Sequence, residues 1–191
     1  MGSYETKHMV VRNEIKSQLA RLLATEDMIV EHKKVKTASF DVSRRLLVLP
    51  MWERASDSVY DLLVGHEVGH ALFTPDEDPP KGIPHQFINV TEDARIEKLI
   101  KRKYLGLAKT FFRGYRELND DDFFQIADEE VDEMNLADRA NLFFKIGNFV
   151  DISFTEEEQE IIDQIRDAET FADACAAAKV LYDYCKKPKE D

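Results

Sequence analysis

Residues 62–73 read Leu62-Leu63-Val64-Gly65-His66-Glu67-Val68-Gly69-His70-Ala71-Leu72-Phe73, and this stretch decides how the rest of the chain is read. On a helix His66 and His70 fall one turn apart on one face, with Val59, Leu62, Leu63 and Phe73 on the same side. Two imidazoles in an apolar stripe need partners for both ring nitrogens. A zinc ion takes one nitrogen of each, and a nearby oxygen takes the other. Glu67 projects about 80° from the histidine pair. That offset suits a general base beside a metal rather than a ligand. The pattern His-Glu-x-x-His is therefore a candidate ligand-and-base constellation. Gly65 and Gly69 lie on the opposite flank, and each costs about 0.8–1 kcal/mol against Ala in a helix, which predicts close packing of another element there.

Working outward, Asp57 and Ser58 are candidate N-caps for this helix, which runs to Leu72 or Phe73. Upstream, Ile29, Val30, Val35, Ala38, Phe40, Val42 and Leu46-Leu47-Val48-Leu49 predict two or three short strands, the last closed by Pro50. Further back, Val11, Ile15, Leu19, Leu22 and Leu23 give an amphipathic helix over Val10–Leu23. Downstream, four prolines (Pro75, Pro79, Pro80, Pro84) and Gly82 make 74–86 a loop, and a second helix spans about Asn89 to Lys103. Beyond Leu105 the pattern is helical nearly to the end. Thr155 with Glu158 reads as a capping box, and Thr170 caps a last helix through Tyr184. Phe123, Phe124, Phe143, Phe144 and Phe149 read as core. The expected class is α+β: a small N-terminal sheet, the His-Glu-x-x-His helix and a second ligand helix, then an all-α C-terminal half. The division expected is a core over 1–118 and a helical subdomain over 119–191 packed on it.

A hydrolytic zinc site needs three protein ligands and one open position. In the second helix Ile96, Leu99 and Ile100 define the buried stripe, with Glu92 at its centre, Asp93 at its edge and Glu97 outside it. A carboxylate centred on an apolar face needs a strong partner, so Glu92 is the expected third ligand and Asp93 a supporting residue for a histidine. The competing reading pairs Glu92 with an arginine such as Arg113 or Arg116. His85, beside Pro84, is a weaker rival ligand. For a donor opposite the metal, Tyr104 and Tyr115 are the candidates, with Arg113 and His85 behind them. Tyr115 is favoured because Gly114 permits an unusual backbone beside it.

The chain has 191 residues, 43% hydrophobic and 34% charged, a globular balance long enough for one well-buried core. Its formal charge of −12 argues against a nucleic-acid partner. No apolar run is long enough for a bilayer span, and the first residues lack a secretory pattern, so a cytoplasmic location without membrane contact is expected. Cys175 and Cys185 have neither zinc-ribbon nor CxxC spacing and read as reduced thiols. Any metal must then be held by histidine and carboxylate.

Residues LLVGHEVGHALFTP followed by FINVTEDARIEKLI resemble the zincin-type metallopeptidases of the gluzincin class. More narrowly, they are similar to the metallopeptidase-like domains found with von Willebrand factor A domains, including cobaltochelatase-subunit-like and tailed-phage proteins. The resemblance covers roughly Thr37 to Leu118. It implies a minimal zincin-like domain, one Zn2+ ion, and hydrolysis of a peptide or protein substrate, in the cytoplasm of a bacterial host if phage-encoded. It also implies a larger assembly or a partner domain beyond this chain. A glutamate on the helix after the histidines is the third ligand of that class, and Glu92 fits. In the thermolysin-like version an aspartate follows four residues later, where Ile96 stands here, and this leaves open whether Glu92 or Asp93 touches the metal. The resemblance makes Leu46–Leu49 the edge strand beside the cleft; its apolar residues equally suit an ordinary buried strand. The alternative is a zincin-fold interaction or scaffold module that keeps the metal with little or no proteolysis.

Overall fold

A computed structural model describes residues 18–52 and 55–188. The part of the first predicted helix that carries Val11 and Ile15 lies outside them. Within them the fold is α+β, with a small sheet leading into a mostly helical chain. A short helix α1 (Gln18–Thr25) precedes strands β1 (Ile29–Lys33), β2 (Ser39–Asp41) and β3 (Leu46–Pro50). Helices α2 (Asp57–Phe73), α3 (His85–Lys103) and α4 (Leu107–Asp120) follow. A 3-10 turn (Val131–Glu133) leads into α5 (Leu136–Ile146), α6 (Glu156–Asp167) and α7 (Phe171–Cys185).

The sheet order is β1-β3-β2, with β1 parallel and β2 antiparallel to β3. Leu46–Leu49 is therefore the central strand, bonded on both sides, and not the edge expected of it. Its four consecutive apolar residues fit a strand covered on its faces. The edge facing the cleft belongs to β2, which carries only Phe40 between Ser39 and Asp41. Leu47 and Leu49 pack with Val59, Leu62, Val64 and Val68 of α2, and with Phe111 and Tyr115 of α4.

Ser56 caps α2, its hydroxyl accepting from the Val59 N–H at 3.2 Å, one residue ahead of the expected caps. Helix α3 starts at His85, four residues earlier than the periodicity predicts, because Pro84 presents its carbonyl to the Phe87 N–H at 3.0 Å. The two capping boxes at Thr155/Glu158 and Thr170/Asp173 are present.

Gly65 and Gly69 sit on the most buried side of α2. A Cβ on Gly65 would lie 3.2 Å from the Phe111 ring, and one on Gly69 would lie 2.9 Å from Ile96 Cδ1. Close packing explains both, as expected from their helix cost. Gly114 serves the same purpose in mid-helix α4, since a Cβ there would meet Leu62 Cβ at 2.6 Å. It provides close approach rather than an unusual backbone.

Two apolar clusters form the core. One joins the sheet, α2 and α4, and takes Leu142 and Ile146 from α5. The other joins Phe87 and Ile88 of α3 to α5, α6 and α7. Helix α5 thus packs into both. Phe124, Phe143, Phe144 and Phe149 pack at the core margins. Phe123 does not: it is 62% exposed, next to Asp122, whose φ of 50° turns the chain outward there. Cys175 is buried and Cys185 half-buried, both as free thiols. Among the described residues no helix is long and apolar enough to cross a membrane.

Candidate metal centre

Gly69 against Ile96 brings α2 and α3 close enough for side chains at the margins of their buried faces to meet across the seam. His66 and His70 are not in the middle of the α2 stripe. Their side chains are 18% and 28% exposed, at its rim, and their rings lie 4.8 Å apart. Facing them from α3 are Asp93 and Glu97.

Each imidazole has its Nδ1 committed to an oxygen. His66 Nδ1 lies 2.9 Å from Glu97 Oε1, and His70 Nδ1 lies 2.9 Å from Thr74 Oγ1. The Thr74 hydroxyl donates to Glu92 Oε1 at 3.1 Å, so its lone pair is what His70 meets, and His70 carries the proton on Nδ1. An ionised Glu97 only accepts, so His66 carries its proton on Nδ1 as well. Glu97 also accepts from the Tyr115 hydroxyl.

Both Nε2 atoms then point at one oxygen. Asp93 Oδ1 is 2.9 Å from His70 Nε2 and 3.5 Å from His66 Nε2. Lone pair facing lone pair is repulsive unless a proton or a cation stands between them. Asp93 Oδ2 is held separately by Lys145 Nζ of α5 at 3.0 Å. Burial disfavours the Asp93 carboxylate, yet the His70 hydrogen bond, Lys145 and His66 together hold its carboxyl well below the usual range. Burial likewise opposes charge on His66, but Glu97, Asp93 and Glu67 outweigh it and raise the imidazole above its ordinary value. The cluster draws positive charge inward.

These residues fit a divalent ion. One ligand atom from each of His66, His70 and Asp93 lies within 4.8 Å of the others. Two ligands about 2.0–2.2 Å from a tetrahedral ion stand about 3.4 Å apart, which matches the 3.5 Å from His66 Nε2 to Asp93 Oδ1, while the 2.9 Å His70 pair has to open by about 0.5 Å to admit the ion. The oxygen partner on each Nδ1 is what metal-binding histidines ordinarily carry.

Glu92, the expected third ligand, is corrected by this geometry. Its carboxylate pairs with Arg95, three residues along the same helix, and both side chains are 4% exposed. Arg95 also donates to the carbonyls of Phe73 at 2.8 Å and Glu169 at 3.1 Å. Glu92 is thereby part of a closed ion pair and reaches His70 only through Thr74. Asp93, expected as support, is the carboxylate that meets the Nε2 atoms. The arginine is Arg95 rather than Arg113 or Arg116, which are exposed on α4.

Tyr115 is also not where a donor opposite a metal belongs. It is 7% exposed and its hydroxyl donates to Glu97, and burial plus that carboxylate push its pKa well above the usual phenol. The Tyr104 hydroxyl donates to Glu26, and burial with that carboxylate pushes it up to about 12. His85 is exposed at the start of α3. Glu97, expected outside the buried stripe, is 3% exposed and meets His66 Nδ1, while Thr74, Lys145 and Arg95 escaped the sequence reading. Only Arg95 left a signal, as an i,i+3 partner of Glu92.

A cleft of about 310 Å³ opens beside His70 and Glu67. Ala38, Phe40, Val42, Leu47 and Ala71 give it apolar walls, and Asp76 stands at its rim. Comparison of the chain with protein-family models, curated proteins and solved structures finds no match.

Proposed function

We propose that the chain is a zinc-dependent peptidase in which His66, His70 and Asp93 hold one Zn2+ ion and Glu67 is the general base. The observation that carries this reading is the convergence of two Nε2 atoms on Asp93 Oδ1, with both Nδ1 atoms committed to oxygens. Zinc, when bound, supplies Lewis acidity that acidifies water and polarises a carbonyl.

The chain's own residues do the rest. Glu67 lies between the ligand histidines in sequence and lines the cleft, so its carboxylate takes a proton from the attacking water and returns it to the leaving amine. Glu97 and Thr74 fix the orientation and tautomer of the imidazoles. The outer edge of β2, where Ser39 and Phe40 line the cleft, offers main-chain groups to an extended peptide.

Glu67→Gln tests this. The variant should retain zinc at the wild-type stoichiometry while hydrolysis of a mixed peptide library falls by about 100-fold or more. Unchanged hydrolysis removes Glu67 from the role.

One observation favours the second reading, a zincin-like metal-binding scaffold module. The hydroxyls of Tyr104 and Tyr115 are both committed to carboxylates and unavailable to stabilise an oxyanion. A zinc-loaded protein that cleaves no member of the library supports that module.

A further inference from the structure

We propose that Lys145, from the C-terminal helical half, positions Asp93 as a one-oxygen metal ligand by holding its second oxygen. This rests on the metal reading above. Asp93 divides its oxygens: Oδ1 faces both imidazoles, and Oδ2 accepts from Lys145 Nζ at 3.0 Å. A carboxylate free at both oxygens binds a divalent ion through one or both, and two-oxygen binding would fill the position a hydrolytic site keeps open. An ammonium is a compact point charge that can satisfy one carboxylate oxygen. Lys145 thus removes Oδ2 from competition and leaves Oδ1 exposed to the imidazoles.

The ammonium is itself held in place. Lys145 is in the last turn of α5, beside the buried Leu142 and Ile146, on a helix that packs against α3 and α4. Its side chain and that of Asp93 are 18% and 16% exposed, so solvent weakens the pair little. Among the described residues no other lysine or arginine pairs with Asp93. The ligand set on α2 and α3 is consequently finished by a residue more than 50 positions away, and the docking of α5 and the geometry of the centre depend on each other.

The test is a Co2+ titration of the full chain as wild type, Lys145→Met and Lys145→Arg, reading both affinity and visible d–d absorption. Four-coordinate cobalt absorbs more strongly than five- or six-coordinate cobalt, so the spectrum reports how Asp93 binds. Wild type should give the intense spectrum. Lys145→Met should bind about 10-fold more weakly, with reduced band intensity, as loss of a ligand's outer partner predicts. Lys145→Arg, keeping a cationic donor within reach of Oδ2, should recover most of both. If Lys145→Met matches wild type in affinity and spectrum, the inference is overturned while the metal reading stands. If wild type takes up no Co2+ or Zn2+, both fall together. A metal-loaded structure of the wild type decides the matter without a variant: coordination through Oδ1 alone supports the inference, and coordination through Oδ2 or both oxygens overturns it.

Discussion

In the C-terminal half Arg139 and Glu158 pair between α5 and α6; next to the cleft, which His70 lines, His66, His70 and Asp93 meet between α2 and α3. Both are assemblies of carboxylate and nitrogen seated between helices, and they differ in how the valences are filled. Arg139 donates to the carbonyls of Met134 and Ser153, both at 2.9 Å, and to both oxygens of Glu158, which also accepts from the Thr155 N–H. Every charge there meets its opposite. Beside the cleft two ring nitrogens, each with its proton fixed elsewhere by a hydrogen bond, converge on a single carboxylate oxygen. The first cluster is a structural tie. The second leaves two Nε2 atoms to be joined to one oxygen by a proton or a cation, and that difference, rather than burial of charge, sets the two clusters apart.

The contrast can be broken from either side. Arg139→Met strands Glu158, which is 4% exposed, and should destabilise the fold by about 3–5 kcal/mol in urea unfolding while leaving zinc affinity unaltered in the refoldable fraction. Asp93→Asn should weight the two effects the other way: zinc affinity falls by about 100-fold or more, while the metal-free protein loses less stability than Arg139→Met does. If the two variants behave alike, the distinction between closed and open clusters fails.

Between these lies the seam that aligns the helices. Gly114→Ala forces a methyl against Leu62 Cβ and should cost about 1–3 kcal/mol, seen as a lowered melting temperature. The smallest effect expected is in acid. The carboxyls of Glu158 and Asp93 are both depressed in the fold, so the stability they add is complete above their unfolded values and is lost as pH falls through the folded ones. Urea midpoints of metal-free protein should therefore drop from about pH 5 downward. Arg139→Met should show a shallower fall, because Glu158 no longer has its cation.

Much of this molecule could be read from sequence because it is local. The spacing of His66 and His70, the caps at Thr155 and Thr170 and the proline loop are all encoded within a few residues. Strand order is not, since nothing local to Leu46–Leu49 reveals that partners arrive on both sides. The expectation for Glu92 shows the limit most clearly. Periodicity correctly put Glu92 at the centre of a buried stripe, but a central carboxylate is enclosed by its own helix, and Arg95 satisfies it there. Groups free to meet another helix sit at the stripe's edge, as Asp93, His66 and His70 all do. Lys145 lay beyond reach, because only tertiary packing brings α5 to that edge.

The most direct test of the central claim is anomalous scattering at the zinc edge from crystals of the protein grown with Zn2+. The account predicts one peak about 2.0–2.2 Å from His66 Nε2, His70 Nε2 and an oxygen of Asp93, with Glu92 still on Arg95. A peak ligated by Glu92, or no peak between α2 and α3, would contradict it.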